Sequence, residues 1–380
     1  MNMVAILYFL LFCLISPFST IGVDVSTSKF KPEQVHLTFH SDPNKLIVSW
    51  VSFEVLPFSS IIEYGSRPHQ LTNKNEGTFL LYDNDICRNS TRAIHTVEFN
   101  IKEDEQVFYR LSGDNGLTFS DIFNTTGQRR SFPHAVALFG DMGINCELSA
   151  VSSIIKDAFA GVHSYALHYG DTAYNMDEQC GQVGDNFLNA VQPYSSFLPI
   201  VYTNGNHEGG PYKRYHEYIF RLADAQNNLA NTSQSFNNRY FMFSVGPVTY
   251  VAIDPDAWIY PPVFPLAQPQ YDWLQKVLPT VNRTVTPWLV VLSHRAMYCT
   301  KTTDRECNQE AEILRNGLFP VTPDHQRYGL EDLFLQYGVD FVFSGHVSYV
   351  AMLLSYFSFD HITLALFFCQ VVYLGNSQYC

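Results

Sequence analysis

Residues 134–141 read HAVALFGD, an apolar run that ends in a glycine and an aspartate. A continuous run of this kind is typical of a strand buried on both faces of a sheet. Helical spacing follows from Glu147 to Ala160, where apolar residues recur on one face. Further apolar runs alternate with helical stretches, namely YALHYGD (165–171), LPIVYTNGNHE (198–208), YFMFSV (240–245), VTYVAID (248–254), PWLVVLSH (287–294) and VDFVFSGH (339–346). This alternation predicts an α/β domain with a layered αββα core over residues 133–348.

The preceding segment, residues 30–128, has a different pattern. Its short apolar or alternating runs are separated by turn-forming clusters such as SDPN and SGDNG. The runs are VHLTF (35–39), LIVSWV (46–51), IIEYG (61–65), HTVEFNI (95–101) and QVFYRL (106–111). Several short strands at this spacing indicate an antiparallel, all-β sandwich that precedes the α/β domain.

The composition argues against several classes of protein. The 380 residues carry 36 acidic and 23 basic side chains, a formal net charge of −13, and no run of Lys or Arg. This acidic balance argues against nucleic acid as a partner. The 30 Phe and 23 Tyr residues exclude a disordered chain, in which aromatic residues are scarce. The sequence makes no prediction of the oligomeric state.

The N-terminal segment predicts a protein of the secretory pathway. Residues 1–22 contain an apolar stretch, Met3 to Ile15, which is short for a membrane span and is followed by small polar residues. We interpret this segment as a signal peptide; a signal anchor is the alternative. N-glycosylation is indicated by sequons at Asn89, Asn124, Asn231 and Asn282. The protein is therefore expected to be secreted or lysosomal.

The cysteines fit an oxidising compartment. Of the 8 Cys, Cys13 lies in the predicted signal peptide, which leaves an odd number in the mature chain. Cys299 and Cys307 flank a polar loop and are candidates to close it by a disulfide. The Cys spacings do not resemble those of a structural zinc site.

The C-terminal tail, residues 349–380, differs from the rest of the chain. It is mostly apolar from Val350 to Leu374, and Asp360 and His361 in its middle argue against a membrane span. The alternatives to a span are core strands, or a non-homologous end produced by truncation or by a gene-model error.

Side chains that commonly bind metals directly follow five of the apolar runs. They are Asp141 in GDMG (140–143), Asp171 and Tyr174 in GDTAY (170–174), Asn206 and His207 in GNHE (205–208), His294 in SHR (293–295) and His346 in GH (345–346). Because sites in layered α/β proteins lie at the carboxyl ends of strands, we expect these residues to converge. Oxygen and imidazole ligands without thiolates suit Fe(III), Mn or Zn. A carboxylate that bridges two metals about 3.5–4 Å apart is usual in phosphate-ester hydrolysis.

The motifs GDMG, GDTAY, GNHE, VVLSHRAMYC (290–299) and FSGHV (343–347), in this order, resemble the signature of the calcineurin-like metallophosphoesterases. The tyrosine in GDTAY narrows the resemblance to the purple acid phosphatases. The N-terminal segment, which opens with PEQVHLTF (32–39), is similar to the fibronectin-III-like domain of the large plant and animal members.

The resemblance implies a role for each of these residues. Asp141, Asp171 and Tyr174 would hold a ferric ion, and Asp171 would bridge it to a divalent Zn, Fe or Mn ion. The divalent ion would also be held by Asn206, His294 and His346. His207 would bind phosphate or protonate the leaving group. The implied reaction is the hydrolysis of phosphate monoesters at acidic pH, by attack of a metal-bound hydroxide.

One position departs from the family pattern. The last family motif is Gly-His-x-His, and Ser348 stands here in place of the second His, which is a ferric ligand in the family. A hydroxyl is a poor substitute for imidazole, so we expect a ferric site that lacks one ligand and a chain of reduced activity.

The sequence is therefore consistent with three functions. The first is an acid phosphatase, which Tyr174 and the β-domain favour. The second is a two-metal phosphodiesterase, such as a sphingomyelinase-like protein. The third is an impaired or truncated isoform that acts as a non-catalytic secreted protein, which Ser348 and the tail favour.

Overall fold

The computed structural model describes residues 29–53, 59–82, 91–128, 135–143, 148–208, 239–299, 303–317 and 328–346. The predicted signal peptide, the sequons at Asn89 and Asn231, Ser348 and the C-terminal tail lie outside the described residues. The described chain has a β-rich N-terminal domain followed by an α/β domain, which confirms the fold class predicted from the sequence.

The N-terminal domain is built from antiparallel strands. They are β1 (Glu33–Phe39), β2 (Lys45–Ser52), β3 (Ser60–Gly65), β4 (Asn73–Tyr82), β5 (Arg92–Asn100), β6 (Gln106–Ser112) and β7 (Phe123–Thr126). Their spatial order is β1-β2-β5-β4-β3-β6-β7.

Strand β4 divides this domain into two halves. Its first half, residues 73–77, pairs with β3, and its second half, residues 78–82, pairs with β5. Gly77 lies at the change of partner, where a Cβ atom would meet the carbonyl oxygen of Thr96 at 2.0 Å. Side chains from both halves share one apolar core, which includes Leu37, Trp50, Ile62, Phe99 and Tyr109. The two halves therefore pack as a sandwich.

The α/β domain contains two sheets. The first is parallel, in the order β10-β9-β8, and consists of β8 (Val136–Phe139), β9 (Tyr165–Tyr169) and β10 (Ile200–Thr203). The second has the order β11-β12-β13-β14 and consists of β11 (Phe241–Val245), β12 (Val248–Ile253), β13 (Trp288–Ser293) and β14 (Phe341–Phe343). Strand β11 is antiparallel to β12, and the other pairs are parallel.

The helices cover the outer faces of these sheets. They are α1 (Leu148–Phe159), α2 (Gln182–Ser195), α3 (Asp256–Ile259), α4 (Ala267–Val277), α5 (Arg305–Asn316) and α6 (Leu330–Gln336), with short 3-10 turns at Glu178–Gly181, Pro261–Leu266 and Leu278–Thr280. Within the described ranges, no helix has both the length and the apolar character needed to cross a membrane. A disulfide joins Cys299 to Cys307 in the first turn of α5, as the sequence indicates.

The periodic apolar residues of the helices explain how the helices pack on the two sheets. Val151 and Ile154 of α1 pack against the first sheet, and Trp273 and Leu274 of α4 pack against the second. Between the sheets lies a third cluster, in which the Tyr165 and Tyr250 hydroxyls are 2.7 Å apart. The order of layers is therefore helix, sheet, sheet, helix.

The two domains contact each other through α2. Its Gln192 Oε1 accepts from Val35 N at 2.9 Å, and its Ser195 Oγ donates to Val35 O at 2.8 Å. An ion pair between Arg92 of β5 and Asp185 of α2 is buried at the same interface. These polar contacts fix the N-terminal domain beside the first sheet.

Candidate metal centre

The carboxyl ends of five strands converge at one edge of the α/β domain. Backbone hydrogen bonds join the turns that follow β8 and β9, from Asp141 N to Gly170 O at 3.0 Å and from Met142 N to Asp171 O at 3.1 Å. In the second sheet, Gly345 N donates to His294 O at 2.9 Å. The parallel strands of both sheets thus present their terminal polar residues to a common centre, as expected from the strand directions.

Asp171, His294 and His346 form the heart of this centre. Each offers a ligand atom, and these atoms lie within 4.8 Å of one another. Asp171 and His294 are almost fully buried, and Asp171 Oδ2 lies 3.2 Å from His294 Nε2. Asn206 joins them, because its Oδ1 lies 2.9 Å from the same His294 nitrogen.

The ring of His294 is oriented by the backbone. Its Nδ1 lies 3.2 Å from the carbonyl oxygen of Tyr169, which only accepts, so Nδ1 donates and carries a proton. Nε2 therefore faces Asp171 and Asn206. Metal-binding histidines commonly donate their second ring N–H to a carbonyl or carboxylate, and His294 has that arrangement.

Asp141 and Tyr174 lie together beside this cluster. The Tyr174 hydroxyl donates to Asp141 Oδ1 at 3.4 Å, and Asp141 Oδ2 accepts from His346 N at 2.8 Å. The structure thus brings together all the residues that the sequence predicts as metal ligands, namely Asp141, Asp171, Tyr174, Asn206, His294 and His346.

Two glycines leave room for these side chains. A Cβ atom on Gly170, whose φ is +91°, would meet His294 Nδ1 at 2.6 Å. A Cβ atom on Gly205 would meet Asp171 Oδ1 at 2.4 Å. Any larger residue at these positions would displace the side chains at the centre.

The charges at the centre shift its pKa values strongly. Burial acts to raise the pKa of the Asp171 carboxyl, but the hydrogen bond and charge of His294 outweigh it and lower that pKa to about 2. Burial acts in the opposite direction on His294, and Asp171 reverses it and raises the pKa of His294 to about 9. Burial and the charge of Arg295 lower the pKa of His346 to about 3, which keeps this ring neutral at acidic pH.

The donor set fits two adjacent metal sites. A carboxylate, an amide oxygen and two imidazoles, from Asp171, Asn206, His294 and His346, suit a borderline divalent ion such as Zn, Fe or Mn. Asp141 and Tyr174 add anionic or ionisable oxygen donors, which suit a ferric ion. Asp171 lies where a shared ligand is needed, since it contacts His294 and belongs to the turn that is bonded to the turn of Asp141.

His207 lies at the solvent side of the centre. Its side chain is 32% exposed, whereas that of Asp171 is 3% exposed. Its Nδ1 lies 3.1 Å from Asn175 Oδ1, and its ring packs edge-on against Tyr174 with 4.8 Å between centroids. Asn175 Nδ2 donates to Glu178 at 2.8 Å, so Asn175 presents its oxygen to His207. His207 Nε2 is left facing Asp171 Oδ2, at 3.9 Å.

The loop after Asp171 has left-handed backbone at three consecutive non-glycine residues. The φ angles of Ala173, Tyr174 and Asn175 are +61°, +46° and +76°. Such strain persists only where surrounding contacts hold the chain. Ala173 N donates to Met142 O at 2.9 Å, and from the N-terminal domain the Tyr82 hydroxyl donates to Asp177 at 2.6 Å. The β-domain therefore contacts the loop that carries Tyr174.

Sequence reasoning missed a buried ionic cluster beside His346. Arg295 Nη1 lies 2.8 Å from His346 Nε2, and its guanidinium also bonds to Asp256 at 2.6 Å and to Glu310 at 2.5 Å. Glu208, the last residue of GNHE, has no role predicted from the sequence, and it lies buried next to Asp171. The only available signal for Arg295 and Glu208 was their position within the motifs of predicted ligands.

Comparisons with known proteins identify the families that match each domain. The calcineurin-like phosphoesterase family matches residues 134–348, and the purple acid phosphatase N-terminal domain matches residues 32–127. Acid phosphatase type 7 of Homo sapiens is 29% identical over 347 residues, which cover 89% of this chain and 75% of that protein. Purple acid phosphatase 22 of Arabidopsis thaliana is 30% identical over 325 residues, which cover 84% of this chain and 66% of that protein.

A solved structure shows the same fold. The purple acid phosphatase from yellow lupin (Lupinus luteus) seeds matches with a TM-score of 0.61 at 20% sequence identity. The match covers 84% of this chain and 59% of the lupin chain, so this chain spans less than two thirds of the lupin protein. With both of its domains matched, the chain belongs to the calcineurin-like phosphoesterases and, within them, to the purple acid phosphatases.

Proposed function

We propose that this chain is an acid phosphatase that hydrolyses phosphate monoesters at a centre of one ferric and one divalent ion. The observation that carries the proposal is the convergence of Asp171, Asn206, His294 and His346, with the Tyr174 hydroxyl beside Asp141. The divalent ion would be Zn, Fe or Mn, held by the first four residues. Asp141, Asp171 and Tyr174 would hold the ferric ion.

When bound, the two metals supply an activated nucleophile and offset the negative charge of the phosphate. Two of the four ligands of the divalent ion are held ready for it, whereas His294 must first lose a proton. Asp171 is ionised at acidic pH because of its lowered pKa, and His346 is neutral there for the same reason. Both are the protonation states that metal ligation requires.

His207 is placed to act on the substrate. Because Nδ1 bonds to an amide oxygen, it carries a proton, and Nε2 lies at the solvent side of the centre, 3.9 Å from Asp171 Oδ2. From there Nε2 would bind a phosphate oxygen or, when protonated, donate to the leaving oxygen. We expect His207→Ala to lower turnover by about 10²-fold or more. The exposed His69 of the N-terminal domain offers a control, and His69→Ala should leave turnover unchanged.

The function is tested with p-nitrophenyl phosphate as monoester and bis(p-nitrophenyl) phosphate as diester, at acidic pH. We expect faster hydrolysis of the monoester, loss of activity with a chelator, and recovery on addition of iron with Zn²⁺ or Mn²⁺. Faster hydrolysis of the diester would instead support the two-metal phosphodiesterase. The Tyr174 contact with Asp141 favours the monoesterase.

Ser348 supports a second candidate function, a non-catalytic secreted protein with an impaired ferric site. In that case, metal addition would produce no hydrolysis of either ester, although the divalent half-site would still bind one metal. The same assay, combined with metal analysis, therefore separates the two candidates.

We also propose that the chain enters the secretory pathway and carries N-glycans. The apolar leader and the four sequons support this compartment. Of the two sequons in the described residues, Asn282 is exposed in a turn and Asn124 lies on the edge strand β7. Expression in animal cells should yield a product whose electrophoretic mobility increases after glycosidase treatment. An unglycosylated cytosolic product would contradict the proposal.

A further inference from the structure

The Glu208 carboxylate accepts hydrogen bonds from three backbone amides at the metal centre. Asp171 N and Gly205 N donate to Oε2 at 2.7 and 2.8 Å, and Thr172 N donates to Oε1 at 2.8 Å. The residue is only 3% exposed. Because one buried side chain accepts three short hydrogen bonds, Glu208 holds these backbone segments together.

These donors belong to two different turns. Asp171 and Thr172 follow β9, whereas Gly205 follows β10 and immediately precedes Asn206. The carboxylate therefore ties the turn that carries Asp171 to the turn that carries Asn206. His207 N adds a bond in the other direction, to Asp171 Oδ1 at 3.0 Å. The separation of the two ligands depends on this bridge between turns.

Both oxygens of the Glu208 side chain serve as hydrogen-bond acceptors in this arrangement. Oε2 faces two backbone N–H groups and Oε1 faces one, so a group that only donates at either position would leave an N–H unpaired. An amide at position 208 would place its NH₂ group against a backbone N–H in the same way. Unpaired buried amides are unfavourable, so the turns would shift to find other partners.

We propose that Glu208 is a positioning residue of the divalent half-site, which sets the distance between Asp171 and Asn206. It acts through the backbone of these two ligands. This inference rests on the proposed metal-dependent function.

The test is titration of the purified full chain with Zn²⁺ or Mn²⁺, for the wild type, Glu208→Gln and a control. Loss of a residue that orients ligands typically weakens metal binding about 10–100-fold, and we expect a loss of this size for Glu208→Gln. The control is Glu98→Gln, a partly exposed carboxylate of the β-domain that should leave affinity unchanged. Glu208→Asp keeps the charge but shortens the reach, and should lose less affinity than Glu208→Gln.

The metal titration distinguishes the role of Glu208 from the proposed function. A wild-type chain that binds no divalent metal would contradict the proposed function. A wild-type chain that binds, together with Glu208→Gln of equal affinity, would overturn the role of Glu208 alone.

Hydrogen exchange on the wild type supplies a test that does not depend on variants folding. The amides of Asp171, Thr172 and Gly205 should exchange as slowly as those of the neighbouring core strands. Fast exchange at these amides would refute the proposed bridge.

Discussion

Asp185 and Arg92 form an ion pair buried between the two domains, and Asp185→Asn is expected to destabilise the chain strongly. Arg92 Nε donates to Oδ1 at 2.9 Å and Nη2 donates to Oδ2 at 2.6 Å. The two side chains are only 4% and 12% exposed. An amide in place of the carboxylate removes the countercharge and turns one of its acceptors into a donor that faces Arg92.

The magnitude follows from burial. Removal of one partner of a buried pair costs about 3–5 kcal/mol, because a charge is left uncompensated away from water. Gln34 Nε2 also donates to Asp185 Oδ1, at 2.8 Å, and an Asn at this position retains that acceptor. We therefore expect the free energy of unfolding to fall by about 3 kcal/mol, the low end of this range.

The N-terminal domain contains a matched control. Arg110 Nη2 lies at the same 2.6 Å from Glu63 Oε2, but these side chains are 38% and 25% exposed. Exposed pairs contribute only about 0–1 kcal/mol, so Glu63→Gln should lower stability by no more than that. Both variants are compared with the wild type by urea unfolding, followed by tryptophan fluorescence. Equal losses for the two variants would refute the argument from burial.

Asp171→Asn should lower hydrolysis of p-nitrophenyl phosphate by at least about 10³-fold, because the electrostatic effect of two metals dominates this chemistry. Circular dichroism should show that the fold is retained. Activity within about tenfold of wild type would exclude the bridging role. The pKa of His294 is raised from its ordinary value of 6.5 to about 9. In the chelator-treated protein, the ion pair of His294 with Asp171 therefore stabilises the fold fully below pH 6.5, and this stabilisation is lost as the pH rises through 9. Since metal must displace the same proton, divalent affinity should increase over that interval, and thermal melting and metal titration at several pH values check both trends. The unmodified chain should bind iron weakly and show little visible absorption, and Ser348→His should increase both the iron binding and the absorption. Strong absorption in the unmodified chain would show that a histidine at position 348 is dispensable.

Much of the fold follows from patterns that are local in sequence. Continuous apolar runs identify the strands of the α/β domain, because strands buried on both faces need no polar alternation. Each predicted ligand lies directly after such a run. Asp171 and His294 are therefore recognisable from the sequence, although they are 123 positions apart. Parallel strands carry their ends to one edge, and this rule supplies the long-range information.

Other features have no such local signal. Strand β4, NKNEGTFLLY, is largely exposed and its apolar residues are confined to its last four positions, so its pairing with both β3 and β5 is set by the neighbouring strands. The cluster of Arg295, Asp256 and Glu310 joins residues from three segments of the second sheet and its helices. Their contacts depend on tertiary packing, which residue spacing does not encode.

We propose above all that Asp171, Asn206, His294 and His346 hold one metal ion. Anomalous diffraction from crystals of the full chain soaked in Zn²⁺ or Mn²⁺ tests it most directly, with data collected on both sides of the metal absorption edge. We expect a strong peak within bonding distance of these four side chains, and loss of that peak in His294→Ala. A peak elsewhere, or none beside these residues at saturating metal, would contradict it.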